Sequence, residues 1–496
     1  MMTTEEKAKI GIAGLDDILA GGLHRKRVYL VEGQPGTGKT TLALQFLIEG
    51  RDRGERVLYF TLAESEEELR HSAASHGWSL DGIEVCQVIP ADALLDDSQQ
   101  QSLLYSSDLE LGETTKAIFA KVEAFKPSRV VLDSLSEIRL LAQSSLRYRR
   151  QILAMKHRFS QIGTTVLLLD DMTSEALDKT VHSVAHGVFK LEELAQDYGP
   201  ERRRLRILKY RGQRYRGGYH DFNLAHGGLV VFPALVAAEH KVRFGRDKVG
   251  SGINSLDNLL GGGLERGTSA LVLGPAGAGK TLMTLTFVVA ALKRGENAAI
   301  FAFDEDISLL AARAKSLGLD LTPWRENGQL QLLQVDAAEL SPGEFAHRVR
   351  NSVEKHKASC VLIDSLNGYQ LSMPEERYLI LHMHELLTYL NRSGIVTFLT
   401  VAQHGLVGSA MQSPVDLTYL SDTVILLRYF EARGSVRRAV SVIKKRDGAH
   451  ENTIRELRIS SEGLEVGDAL ESFQGVLRGA PEFVGQQETL LGKTAS

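Results

Sequence analysis

Short apolar runs alternate with longer amphipathic stretches along the chain. Arg56–Leu62, Val130–Asp133 and Thr165–Leu169 are near-continuous apolar runs. Ala298–Phe303, Val361–Asp364 and Val396–Val401 form a second set of the same kind. Segments with helical spacing lie between such runs, for example Ser65–His76 and Glu375–Asn391. Strands apolar on both faces and separated by helices predict an α/β fold, a mostly parallel sheet with helices on both faces. Strand-like runs at Leu205–Tyr210 and Val436–Ile443 predict an antiparallel edge hairpin late in each half.

The two halves repeat one another. Gly14-Leu-Asp-Asp-Ile-Leu-Ala-Gly-Gly-Leu23 returns as Ser255-Leu-Asp-Asn-Leu-Leu-Gly-Gly-Gly-Leu264, and Gly33-Gln-Pro-Gly-Thr-Gly-Lys-Thr40 as Gly274-Pro-Ala-Gly-Ala-Gly-Lys-Thr281, both 241 residues on. Arg129-Val-Val-Leu-Asp-Ser134 matches Cys360-Val-Leu-Ile-Asp-Ser365 at an offset of 231, and Leu205–Gly212 matches Val440–Asp447 at 235. A period this long means a duplicated domain, not a solenoid repeat. The expected layout is a first domain over 1–234, a linker at 235–248, a second domain over 249–470 and a mobile tail from 471 to 496.

Composition narrows the class. Of 496 residues, 43% are hydrophobic and 24% charged, as in ordinary globular proteins. A net charge of −4 argues against a surface built to bind nucleic acid throughout. Cys86 and Cys360 lack CxxC spacing and indicate neither a disulfide framework nor a zinc site. The longest uncharged apolar stretch, Leu282–Leu292, is shorter than the roughly 20 residues that span a bilayer. The start is polar, without a signal-peptide core, so a cytoplasmic location and no membrane association are expected.

The repeated octapeptide is a GxxxxGKT loop, each time after an apolar strand (Val28–Glu32; Ala270–Leu273) and before a helix. Its glycines let backbone N–H groups curl around phosphate, and the helix start adds partial positive charge. The expected phosphate-binding residues are Gly33, Gly36, Thr37, Gly38, Lys39, Thr40 and Thr41 in the first copy. In the second they are Gly274, Gly277, Ala278, Gly279, Lys280, Thr281 and Leu282. The ligand implied is ATP with Mg2+. Lys39 and Lys280 should reach the β- and γ-phosphates, and Thr40 and Thr281 the metal. A lone aspartate at a strand end ordinarily caps a helix. Beside such loops, Asp133 and Asp364 are expected to hold Mg2+ through water.

A carboxylate is also needed to orient or deprotonate the attacking hydroxyl. Glu64 and Glu305 are the candidates, each placed at the end of the strand after the loop's helix. Glu66, Glu67 and Glu68 read as helix-start acids, with Ser65-x-x-Glu68 a capping box. The second copy carries another acid, Asp304, where the first has Ala63. Arg211 and Arg446, with Lys209 and Lys444 two residues earlier, could stabilise charge on a transferring phosphoryl group. His382 and His384, two residues apart on a helix, point to different faces, so no metal is expected there. Trp78 and Trp324 are expected to pack.

The Leu15–Leu23 and Leu256–Leu264 phrases, Ser421-Asp-Thr-Val-Ile-Leu-Leu427, Arg433-Gly434 and Gly475-Val-Leu-Arg-Gly-Ala-Pro481 make the chain resemble the KaiC family. These are double-domain relatives of the RecA and RadA ATPases, and the likeness runs from about Lys9 to Arg478. It implies two tandem RecA-like P-loop domains and a two-tiered homohexamer with ATP between subunits. Lys209, Arg211, Lys444 and Arg446 would then act on a neighbour's nucleotide. The family's first domain is a slow ATPase and its second an autokinase and autophosphatase. Of the family's paired glutamates only the second survives here, in Ala63-Glu64 and Asp304-Glu305. The family's phosphorylated Ser-Thr pair falls on Thr418 and Tyr419, and the first copy's stretch Val184–Gly187 has no hydroxyl pair. The short tail leaves no expectation of a KaiA-type activator, while a KaiB-like or signalling-kinase partner is compatible. Two other readings stay open: an ATP-driven assembly module without kinase activity, and a RecA-like DNA-dependent ATPase, with nucleic acid the less expected partner.

Overall fold

The computed structural model describes residues 6–88, 103–172, 180–195, 199–303, 305–371, 376–403, 418–432, 434–478 and 482–484. The chain divides into two units, Met1–Ala234 and Leu235–Ser496.

The first unit is built on a nine-stranded sheet: β1 (Val28–Glu32), β2 (Val57–Thr61), β3 (Glu84–Gln87), β4 (Arg129–Asp133), β5 (Thr165–Asp170), β6 (Gly187–Leu194), β7 (Arg202–Tyr210), β8 (Tyr219–Ala225) and β9 (Gly228–Phe232). Their order is β9-β8-β7-β6-β1-β5-β4-β2-β3. From β6 to β3 the pairings are parallel. From β6 outward through β9 they are antiparallel. The expected hairpin is thus the start of a longer antiparallel extension. Helix α1 (Lys39–Asp52) follows β1, and α2 (Glu66–Ser75) follows β2. Ser65 caps α2 by accepting from the Glu68 N–H, and Glu68 bonds back to the Ser65 N–H.

The second unit repeats this plan with β10 (Ser269–Gly274), β11 (Asn297–Ala302), β12 (Leu330–Gln334), β13 (Ala358–Asp364), β14 (Val396–Ala402), β15 (Thr423–Ala432), β16 (Ser435–Lys445), β17 (Arg455–Ser460) and β18 (Gly463–Ala469). The order is β12-β11-β13-β14-β10-β15-β16-β17-β18. Helices α3 (Lys280–Lys293), α4 (Ile307–Ser316) and α5 (Glu376–Arg392) belong to it. These are two tandem RecA-like α/β domains, each with a mostly parallel sheet.

Strand alternation divides each interior into two cores. Tyr29 and Val31 of β1 enter the core that holds Leu42 and Phe46 of α1, whereas Val28 and Leu30 enter the core with Ile152 and Phe159. In β10, Ala270 and Val272 separate in the same way from Leu271 and Leu273. Each such side chain, fully buried, contributes about 1.5–3 kcal/mol. The cores therefore hold the strand ends, and the loops that leave them, in place.

Arg129 is fully buried in the first unit. It is held by Glu55 at 2.7 Å, by the Phe46 carbonyl at 2.8 Å and by the Phe46 ring. Burial would raise the Glu55 carboxyl, but hydrogen bonds from Arg129 and Arg25 outweigh it and bring it down to about 2. Glu296 is the counterpart, held down to about 2 by Arg266, Arg294 and Ser359 against its own burial.

The stretch 235–248 belongs to the second unit. Ala237 is buried in its core, and the Val242 N–H donates to the Arg392 carbonyl. The segment after Leu470 also begins docked, because Phe473 packs on Phe430 and Val476 is buried. Cys360 is buried, which pushes its thiol up to about 12, and Cys86 is half-buried. Among the described residues, no helix is long and apolar enough to cross a membrane.

Candidate functional site

In the first unit the loop between β1 and α1 turns through Gly36 and Gly38 at φ 83° and 94°, values that a side chain would disfavour. Lys39 opens α1, and its ammonium donates to the carbonyls of Gly33 and Gln34, both at 2.9 Å. Thr37 Oγ1 donates to the Gln34 carbonyl, which closes the loop. Thr40 Oγ1 donates to Asp133 Oδ2 at 3.1 Å, so the helix start and the end of β4 meet in a hydroxyl–carboxylate pair. Thr41 is buried one residue further on.

Two groups absent from the sequence expectations complete this arrangement. The Tyr59 hydroxyl on β2 donates to the same Asp133 oxygen at 2.5 Å. Asp171, just beyond β5, forms an ion pair with Lys39 at 2.8 Å. Burial raises the Asp133 carboxyl, the Tyr59 hydrogen bond opposes that rise, and the Asp171 charge adds to it.

The second unit repeats the loop with a different supporting shell. Gly277 and Gly279 take φ 74° and 103°, and Ala278 is buried. Lys280 donates to the carbonyls of Gly274 and Pro275, at 3.0 and 2.9 Å. Burial lowers the Lys280 ammonium, and Asp364 partly offsets that. Thr281 Oγ1 donates to Asp364 Oδ2 at 2.6 Å. The hydroxyl that steadies Asp364 is not a tyrosine from the neighbouring strand. It is Thr400 on β14, which donates to Asp364 Oδ1. The internal repeat puts Ile300 opposite Tyr59 and Leu169 opposite Thr400, so each unit orients its aspartate from a different strand. Leu282 is buried beneath the loop.

Glu64 and Glu305 do not end their strands. β2 stops at Thr61 and β11 at Ala302, and both glutamates sit in the turn that enters the next helix. The cause in the first unit is local: Thr61 Oγ1 accepts from the Glu64 N–H and donates to the Glu64 carbonyl, which curls the chain off the sheet. Burial raises the Glu64 carboxyl, with Asp133, Glu68 and Asp171 adding to the rise. Burial also raises Glu305, but Arg313 on α4, 2.7 Å away, pulls it back. The first unit has Ser72 at the position of Arg313. Asp304 lies outside the described residues.

The late-strand cations hold a neighbouring segment of their own unit. Lys209 donates to the carbonyls of His182 and Ala185, and Arg211 donates to that of Ser183 at 3.0 Å. Lys444 donates to the carbonyls of Thr418 and Ser421 at 2.7 and 2.8 Å, and Arg446 to that of Tyr419 at 2.6 Å. These matched contacts place His182-Ser183, not Val184–Gly187, opposite Thr418-Tyr419. The strand register agrees, since Gly187 pairs with Tyr29 as Thr423 pairs with Ala270. The offset over this stretch is 236, set by a loop length that neither motif reports. His182 Nε2 lies 2.6 Å from Glu32, the residue before the loop. Tyr419 is half exposed and Thr418 partly buried.

His382 is partly buried beside the Tyr369 hydroxyl, burial lowers its imidazole to about 4, and His384 is exposed. Trp78 and Trp324 pack on the cores of the first and second units.

Comparison with known proteins agrees with the duplication. The family described as "ATPase: KaiC" matches residues 8–236 and again 249–471. The circadian clock oscillator protein KaiC of Thermostichus vulcanus is 30% identical over 491 residues, which cover 96% of this chain and 92% of that one. The protein of the same name in Acaryochloris marina is 30% identical, over 96% of this chain and 91% of its own. The circadian clock protein KaiC3 of a Synechocystis strain is 29% identical, over 97% and 96%. Two matched domains, each with its own phosphate loop, and relatives aligned over nearly the whole length place this chain in the KaiC family of ATPases.

Proposed function

We propose that both units bind ATP with Mg2+ and hydrolyse it, that the chain assembles as a homohexamer with nucleotide between subunits, and that the second unit phosphorylates its own Thr418. The observation that carries this reading is the clamp repeated in both units. A loop lysine lies against loop carbonyls, and a helix-start threonine is hydrogen-bonded to a strand-end aspartate.

Hydroxyl and carboxylate oxygens are the hard donors that Mg2+ takes, so Thr40 with Asp133 and Thr281 with Asp364 suit it, directly or through water. Bound there, Mg2+ supplies positive charge against the phosphates. Lys39 and Lys280 hold the β- and γ-phosphate oxygens, and the loop N–H groups cradle them. Glu64, its carboxyl raised by burial and by neighbouring carboxylates, orients water for hydrolysis in the first unit. Glu305 is restrained by Arg313 and serves the second. There, the Thr418 oxygen bonds to the γ-phosphorus while the bond to the β,γ-bridging oxygen breaks. ADP leaves, and Glu305 takes the hydroxyl proton.

Lys209, Arg211, Lys444 and Arg446 bond to segments beside their own strands and not to their own loops, which supports their serving the nucleotide of an adjoining subunit. Lys444 and Arg446 hold the carbonyls of both Thr418 and Tyr419, and Thr418 is preferred because the tyrosine ring is long, rigid and half exposed.

The test is phosphosite-resolved mass spectrometry after incubation with Mg2+ and ATP, beside a Glu305→Gln control. Phosphate on Thr418 that vanishes in the control supports the autokinase. ATP consumption without phosphate on the chain removes that part of the proposal and leaves the hydrolase.

A further inference from the structure

The two lysines of the phosphate loops are held differently, and the difference lies outside both loop motifs. An ammonium has three N–H donors. Those of Lys39 meet Gly33 O at 2.9 Å, Gln34 O at 2.9 Å and Asp171 Oδ1 at 2.8 Å. The Lys39 side chain is only 5% exposed and that of Asp171 28%, so the contact is shielded from water on the lysine's side. Among the described residues, Lys280 makes two such bonds, both to backbone carbonyls.

Strand register identifies the residue that stands where Asp171 does. β5 pairs with β1 through Val28↔Val166, and β14 pairs with β10 through Ser269↔Thr397. Counting along both strands puts Asp171 opposite Ala402. The backbone confirms the match: the Asp171 N–H donates to Ser136 Oγ, as the Ala402 N–H donates to Asn367 Oδ1. Alanine cannot reach a lysine. At this position the carboxylate is thus found in the first unit and not in the second.

We propose that Asp171 competes with nucleotide for Lys39, so that the first unit binds ATP more weakly than its loop alone would allow, whereas the equivalent Ala402 offers Lys280 no such competitor. The proposal rests on the nucleotide reading given above and concerns the regulation of that same site. ATP gains the lysine only by displacing a carboxylate, and the displaced Asp171 then stays near phosphate oxygens of like charge. Both effects oppose binding. Asp171 is a positioning residue, acting through Lys39.

The experiment uses the full chain carrying Lys280→Ala, so that titration with a fluorescent ATP analogue and Mg2+ counts the first unit. Asp171→Asn, which keeps the shape, and Asp171→Ala, which installs the second unit's residue, should each tighten binding about ten-fold, equal to about 1.4 kcal/mol. In first-unit hydrolysis the KM for ATP should fall with kcat little changed, a split that loss of a merely structural contact would not produce. Conversely, Ala402→Asp in a Lys39→Ala chain should weaken the second unit. Tightening in neither Asp171 variant, with the parent still binding, overturns this proposal alone. A parent chain that binds no analogue overturns the nucleotide reading, and this proposal with it.

Discussion

Replacing Tyr59 by phenylalanine isolates one hydrogen bond at the first unit's site. Tyr59 is fully buried, so the ring keeps its packing and only the hydroxyl is lost. That hydroxyl donates to Asp133 Oδ2 at 2.5 Å, and Thr40 donates to the same oxygen at 3.1 Å. A hydrogen bond to a charged group is worth about 1.5–3 kcal/mol. Thr40 stays behind as a second donor, so the lower end applies. About 1.5 kcal/mol is close to one pKa unit. The direction follows from the balance at Asp133: burial lifts its carboxyl above the usual range and the phenol opposes that lift. Without the phenol the carboxyl rises further. If Asp133 must be ionised to support Mg2+, first-unit hydrolysis should lose its acid limb about one pH unit higher, with little change on the alkaline plateau. The assay is ATP turnover against pH in the Lys280→Ala chain. Thr400→Val should lower second-unit turnover in a Lys39→Ala chain, because Thr400 steadies Asp364. A folded Tyr59→Phe chain whose acid limb stays in place, or moves down, refutes the reasoning.

Arg446→Ala chains and Lys280→Ala chains, each without Thr418 phosphorylation alone, should regain part of it when mixed, because at a shared site one supplies the loop and the other the arginine. No recovery on mixing excludes the role in trans. Acid stability offers an independent check on the first unit. The Glu55 carboxyl is depressed on folding from 4.5 to about 2, so its stabilisation is present above about pH 4.5 and lost as pH falls towards 2. Allowing for water screening, the loss is about 1–2 kcal/mol. Glu55→Gln should flatten that pH dependence. Urea unfolding followed by Trp78 fluorescence in a Trp324→Phe chain, which leaves a single tryptophan, reads the first unit, and an unchanged slope would contradict the assignment.

The two sites are unequal variants of one plan. The first unit has a carboxylate on its lysine, and its glutamate is raised by burial and neighbouring carboxylates. In the second, among the described residues, the lysine meets only backbone carbonyls, and the glutamate is raised by burial and pulled back by Arg313.

The duplication, the phosphate loops, the strand-end aspartates and the alternation of strands and helices were legible in the sequence because each is local. A run such as Val28–Glu32 is apolar over consecutive residues, and a loop lysine sits at a set distance from its glycines. The sequence was less informative where a backbone turn or a loop length decided the outcome. Glu64 left its strand because the Thr61 hydroxyl bonds to both its N–H and its carbonyl, and the counterpart of Thr418 moved to His182 because an insertion shifted the offset. Sequence alone therefore determined that there are two nucleotide-type loops on two similar sheets. Only the tertiary structure decided which side chains surround each loop. Tyr59, Asp171 and Thr400 come from strands distant in sequence, and the strand order and pleat, not spacing along the chain, set which of them reach the lysine or the aspartate.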